Sequence, residues 1–99
     1  MAHRVAPLAE ADLDEIWFYV AKESGSVEMA NRLIDTVTDR FLVLAGFPHI
    51  GRSLDEDFGQ GCRSVIVGEY VIVYCVENGD VLILRVVHGR RDLDTLFGR

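Results

Sequence analysis

This sequence of 99 residues has only two cysteines, only two prolines and no long apolar run. No stretch approaches the roughly 20 apolar residues of a membrane-spanning helix, and Met1-Ala2-His3-Arg4-Val5 lacks the apolar core of a secretory signal. A cytoplasmic location with no membrane partner is therefore expected. Cys62 and Cys75 show no metal-ligand spacing, so neither a metal nor a cofactor is expected, and in a reducing compartment the pair is expected as buried free thiols. Repeats, low-complexity tracts and linker-like stretches are also missing, and 1–99 reads as one domain.

An excess of basic charge is absent as well. Net charge is −6, and residues 1–62 hold eleven Asp/Glu against five Lys/Arg, while 63–99 hold five of each. A chain that draws its affinity from nucleic-acid phosphates usually carries a basic surface. This balance favours a protein partner over direct, specific DNA binding.

Apolar periodicity is plentiful. His3–Ala6, bounded by Pro7, reads as a short first strand. From Glu10 to Glu23, Leu13, Ile16, Trp17, Val20 and Ala21 recur at helical spacing, with Glu10, Asp14, Glu15 and Lys22 off the stripe. Gly25 ends this helix and Ser26 caps the next. The second helix, about Val27 to Ala45, has the stripe Ala30, Leu33, Ile34, Val37, Phe41 and Leu44, and ends at Gly46 and Pro48. So short a turn predicts an antiparallel helix hairpin. Trp17 and Phe41 are expected in the core.

A Gly- and Asp-rich loop, Pro48 to Gly61, leads to Cys62–Val67, Tyr70–Glu77 and Val81–His88, all rich in Val, Ile and Tyr. Gly68-Glu69 and Asn78-Gly79 are tight-turn signals, so the three strands form an antiparallel meander. Together with the N-terminal strand, the expected fold class is α+β, an antiparallel sheet on a helical hairpin.

If Val67 faces Tyr70 and Glu77 faces Asp80, one sheet face carries Cys62, Ile66, Val71, Val73, Cys75, Leu82, Leu84, Val86 and His88. The other carries Arg63, Val65, Val67, Tyr70, Ile72, Tyr74, Val81, Ile83, Arg85 and Val87. Burying Arg63 and Arg85 without partners is costly, which assigns the helices to the first face. The second face is then apolar and bare except for the terminal Leu93–Phe97 segment, and a bare apolar face implies a partner. A single bulge would exchange the faces.

Polar chemistry concentrates in Val86-Val87-His88-Gly89-Arg90-Arg91-Asp92, where a strand ends. Histidine is the side-chain type suited to proton transfer at neutral pH, so His88 is the candidate acid or base, although a strand-end histidine more often bonds the backbone of its turn. Arg90, Arg91 and Asp92 read equally as a target-binding cluster or as an ion pair capping a terminal helix.

Four segments carry a resemblance across essentially the whole chain. They are Ala11-x-Leu13-x-x-Ile16 with Tyr19-Val20-Ala21, then Phe47-Pro48-x-x-Gly51-Arg52. Cys62-Arg63-Ser64 before Tyr70-Val71-Ile72-Val73-Tyr74 is the third, and Val87-His88-Gly89-Arg90-Arg91-Asp92 the fourth. In this order they resemble the ParE branch of the RelE/ParE toxin superfamily of type II toxin–antitoxin modules. The loop residues Gly51 and Arg52 read as a structural turn within that likeness.

The resemblance implies a small toxin neutralised by a cognate antitoxin, in a unit that pairs into a heterotetramer. ParE-type members are known for poisoning DNA gyrase, and RelE-type members cleave mRNA on the ribosome. In a ParE-like reading His88, Arg90, Arg91, Asp92 and Phe97 bind the target, while Arg63, Tyr74 and Arg85 meet the antitoxin. The alternative, a ribosome-dependent endoribonuclease, would use His88, Arg63 and Arg91 as its catalytic set. RelE-type cleavage commonly places an Arg after the hairpin's first Tyr and a Tyr near the C-terminus. Val71 and Leu96-Phe97 stand at those positions here, so the expectation is inhibition by binding.

Overall fold

A computed structural model describes residues 2–54 and 60–90. The order is β1 (His3–Val5), α1 (Pro7–Ser24), α2 (Val27–Gly46), β2 (Arg52–Ser53), β3 (Cys62–Val67), β4 (Tyr70–Glu77) and β5 (Asp80–His88).

Local chemistry sets the breaks. Pro7 opens α1, whose φ it pre-forms. Gly25 closes the helix in the left-handed region at φ 69°, and the Ser26 side chain then accepts from the Met29 N–H at 3.1 Å to start α2. Asn78 and Gly79, at φ 51° and 82°, form the two-residue turn whose twist matches the flanking strands. Both expected registers are present, with Val67 opposite Tyr70 and Glu77 opposite Asp80.

The sheet has the order β1-β5-β4-β3-β2. It is mixed rather than wholly antiparallel, because β1 runs parallel to β5 with His3 opposite Val81 and Val5 opposite Ile83. A parallel pair needs a long crossover, and the helix hairpin with the rest of the sheet supplies it. β2, inside what reads from sequence as loop, adds a two-residue edge against Arg63 and Ser64.

The helices cover the face that carries Val65, Val67, Tyr70, Ile72, Tyr74, Val81 and Ile83, which join Ala9, Ile16, Val37, Phe41 and Leu44 in the main core. This reverses the face assigned from sequence, and the reason is that the arginines have partners. Arg85 pairs with Asp12 of α1, and Arg63 donates to loop carbonyls, so neither brings an uncompensated charge under the helices.

A bulge between Val73 and Tyr74 on the β4–β5 ladder pairs Val73 with Arg85 and Tyr74 with Ile83, leaving Leu84 as the extra residue. Beyond it Val86 belongs to the main core and Val87 to the opposite face, exchanging the two relative to simple alternation. The opposite face is not bare. Leu54, Cys62, Val71, Val73, Cys75 and Val87 form a second buried cluster there, and the expected Leu93–Phe97 cover lies outside the described residues.

Two more expectations need correction. Trp17 is only half-buried, and its Nε1 donates to Asn31 Oδ1 at 2.7 Å, so it ties the helices together at their rim. Phe41 does sit in the core. Cys62 and Cys75 are joined in a disulfide and are not free thiols. Val76 N–H donates to Gly61 O one step outward, which makes the cysteines a pair without direct backbone hydrogen bonds. In such pairs facing side chains come nearest.

Candidate functional site

β5 ends in the polar cluster, and the turn between β3 and β4 meets it there. Tyr70 lies opposite His88, with the rings edge to face at 5.6 Å between centroids. The His88 Nε2 is 4.0 Å from Glu69 Oε2, and the Gly89 N–H donates to Glu69 O at 2.8 Å. This imidazole is thus largely packed, and its environment comes from the Gly68-Glu69 turn. Arg90 is exposed beside it. Arg91, Asp92 and Phe97, the other residues assigned to this tip, lie outside the described residues.

Arg63 lies four residues away along β4. It pairs with Tyr74 whereas His88 pairs with Tyr70, a separation of roughly 13 Å at strand rise. Its Nη1 donates to Gly51 O at 2.8 Å and His49 O at 3.3 Å. Tyr74 completes this arrangement from the same face: its hydroxyl donates to Pro48 O at 2.9 Å and accepts from the Gly51 N–H at 3.0 Å. The Arg63–Tyr74 pair therefore pins the loop from Pro48 to Gly51, and the Gly51 turn of the sequence motif is the structural element it holds. Tyr74 itself is 0 % exposed, which places it in the core and not on an antitoxin-facing surface.

Burial pushes the Tyr74 phenol above the ordinary 10.0, with the Gly51 N–H and the Arg63 charge acting in the lowering direction. The native state thus holds this proton more tightly than the unfolded chain does. Its stabilising contribution is complete below about pH 10 and is lost as pH rises through the folded-state value. Urea melts between pH 9 and 11 should show the wild type losing stability more steeply than Tyr74→Phe. Parallel slopes would contradict a buried phenol.

Sequence reasoning missed Asp12. Its carboxylate receives Arg85 Nε at 2.8 Å, Arg85 Nη2 at 2.9 Å and the Val86 N–H at 2.9 Å. β1 stops pairing at Ile83 and the chain turns into α1, so Asp12 accepts the N–H that β5 presents beyond the end of β1. The signal was there: Asp12 stands three residues after Ala9 and four before Ile16, a carboxylate inside an apolar helix stripe.

Exposed apolar side chains were expected on the sheet. Those of the described residues stand instead mostly on the helices and after them, including Phe18, Leu42, Phe47 and Ile50, with Ile66 on β3 the exception at 74 % exposure. Among the described residues no group of three His, Cys, Asp or Glu side chains could hold a metal ion, and no helix is long and apolar enough to cross a membrane.

The family model described as the ParE toxin of the type II toxin-antitoxin system parDE matches residues 4–93. Toxin ParE3 of Caulobacter vibrioides is 30% identical over 96 residues, covering 97% of this chain and 93% of that protein. Toxin ParE1 of Mycobacterium tuberculosis is 32% identical over 91 residues, 91% of each. A solved structure titled as the chromosomal ParDE TA system from P. aeruginosa superimposes with a TM-score of 0.74. It is 21% identical, with 89% of this chain and 95% of that one covered, so it shows a common fold.

Proposed function

This chain belongs to the ParE toxin family of type II toxin–antitoxin systems, and on that premise we propose that its target is DNA gyrase, inhibited by binding at the β5 tip. As a ParE toxin it has a cognate antitoxin as partner. His88 and Arg90, with Arg91, Asp92 and Phe97 beyond them in sequence, are the proposed target contacts.

The observation that carries the binding reading over cleavage is the separation of the would-be catalytic groups. Phosphodiester cleavage needs an acid, a base and a cation around one phosphate. His88 and Arg63 stand roughly 13 Å apart along β4 at strand rise, and the Arg63 guanidinium is engaged with backbone carbonyls. Val71, where a RelE-type enzyme commonly carries an arginine, is buried in the second cluster.

For the antitoxin, the proposed contacts are Arg63 and Arg85. Both are only partly buried, and Arg63 borders the loop that exposes Phe47 and Ile50. Carboxylates of the partner would add charge-assisted hydrogen bonds to these guanidinium groups.

Induction without the antitoxin should arrest growth with an early stop in DNA synthesis, and the purified chain should inhibit supercoiling by gyrase in vitro. Antitoxin added in equimolar amount should restore both. Cleavage of mRNA at ribosomal A sites before DNA synthesis falls would sink this reading. Arrest with fully active gyrase would move the target elsewhere.

A further inference from the structure

We propose that Cys62 and Cys75 form a thiol–disulfide latch that couples the redox state of the cell to the integrity of β3, β4 and the loop they hold. The bond joins the ends of these strands farthest from the Gly68-Glu69 turn, where the chain enters the hairpin. Both cysteines are buried in the second cluster with Leu54, Val71, Val73 and Val87, and the carbonyl of Cys62 accepts from the Leu54 N–H at 2.8 Å. One register step further in, on the other face, Arg63 and Tyr74 pin Pro48 to Gly51. Opening the bond therefore loosens three things at once: the hairpin's open end, the second cluster and the anchorage of that loop.

The strands already place the two residues opposite each other, so closure needs only an oxidant. Glutathione disulfide is the class proposed. One cysteine thiolate attacks it, giving a mixed disulfide and releasing one glutathione thiolate. The second cysteine thiolate attacks the protein sulfur of that mixed disulfide and releases the second glutathione thiolate. The protons lost by the two cysteine thiols pass to the two glutathione thiolates, and the two electrons leave as the thiols of glutathione. Reduced glutathione runs the sequence backwards. Burial of both sulfurs means that exchange requires opening of the hairpin end, so the latch closes on folding chains and opens slowly in folded ones.

The test uses the full chain equilibrated with mixtures of reduced and oxidised glutathione. Mass spectrometry after alkylation counts free thiols, and thermal unfolding follows stability. The expected result is a transition from two thiols to none within the range of ratios that cells span, with the midpoint of unfolding about 10 °C higher for the closed form. Hydrogen exchange at the Gly51 and Val76 amides should quicken on reduction, and a Cys62→Ala/Cys75→Ala variant should ignore the glutathione ratio. Thiols that stay free under excess glutathione disulfide would overturn the proposal. So would a bond that survives excess reduced glutathione, since it would be a static staple. These readouts do not depend on gyrase, so they stand or fall separately from the toxin's target.

Discussion

Asp12→Ala should lower the unfolding free energy by about 3 kcal/mol, the low end of what breaking a buried ion pair costs. The substitution removes the carboxylate that now accepts from both the Arg85 guanidinium and the Val86 N–H. Asp12 is almost wholly buried, but the Arg85 side chain is 32% exposed and can recover part of its hydration, which keeps the expected loss from the upper end. Asp12→Asn retains an acceptor for Val86 and should lose about half as much. Arg85→Met leaves a carboxylate buried with one backbone donor, and should cost more than a surface substitution. Removing both partners in Asp12→Leu/Arg85→Met should recover most of the loss, because an apolar pair of similar volume replaces a desolvated one. Urea unfolding of these variants together with the Asp12→Leu single closes the cycle. A loss under about 1 kcal/mol for Asp12→Ala would mean that this pair behaves as an ordinary surface ion pair.

The same pair explains what was and was not legible in the sequence. Helix ends and hairpin turns could be read directly, because Gly25, Ser26 and Asn78-Gly79 act through their own backbone and side chains within a few residues. The β3–β4 register follows from the Gly68-Glu69 turn, and the β4–β5 register follows from Asn78-Gly79 as far as Tyr74, beyond which the bulge shifts it by one residue. The choice of sheet face could not be read that way. It depends on whether Arg85 has a counter-charge, and its partner lies 73 residues away on another element. A burial penalty applied to an arginine alone gives the wrong face as soon as a carboxylate from α1 reaches it.

The bulge lies where the edge of β5 passes from β1 to α1 and Asp12 takes over as acceptor, a junction that no local pattern in β4 or β5 marks. The parallel pairing of β1 was hidden because nothing in three residues encodes strand direction. At the tip, the position of His88 at a strand end was legible, but its packing against Tyr70 depends on the bulge. Strict alternation put these two on opposite faces, and the extra residue Leu84 brings them together. The disulfide was geometrically legible, as Cys62 and Cys75 faced each other in the register. The compartment argument, a statement about cells and not about this chain, turned the reading towards free thiols.

Gly51→Ala should be comparably damaging, at about 3 kcal/mol, although it adds one methyl group. The cause is proximity and not backbone conformation. A Cβ at Gly51 would run into the Tyr74 hydroxyl and would stand 2.8 Å from the backbone oxygen of Ser64, closer than real Cβ contacts come. The Tyr74 ring is fixed on all sides within the main core, and Ser64 belongs to a paired strand, so neither can retreat cheaply. Moving the loop instead breaks the hydrogen bonds that Tyr74 makes to Pro48 and Gly51, leaving a buried hydroxyl unsatisfied. Gly46→Ala is the matched control: nothing lies within 4 Å of its Cβ, and the position is the last of α2, so it should be neutral or slightly stabilising. Combining Gly51→Ala with Tyr74→Phe separates the two contacts. If the hydroxyl is the main obstacle, the double variant should be more stable than the sum of the single losses predicts. If Ser64 is, the losses should add. Thermal unfolding of Gly51→Ala within about 3 °C of the wild type would show that the loop moves freely, and that the Arg63–Tyr74 pair does not pin it.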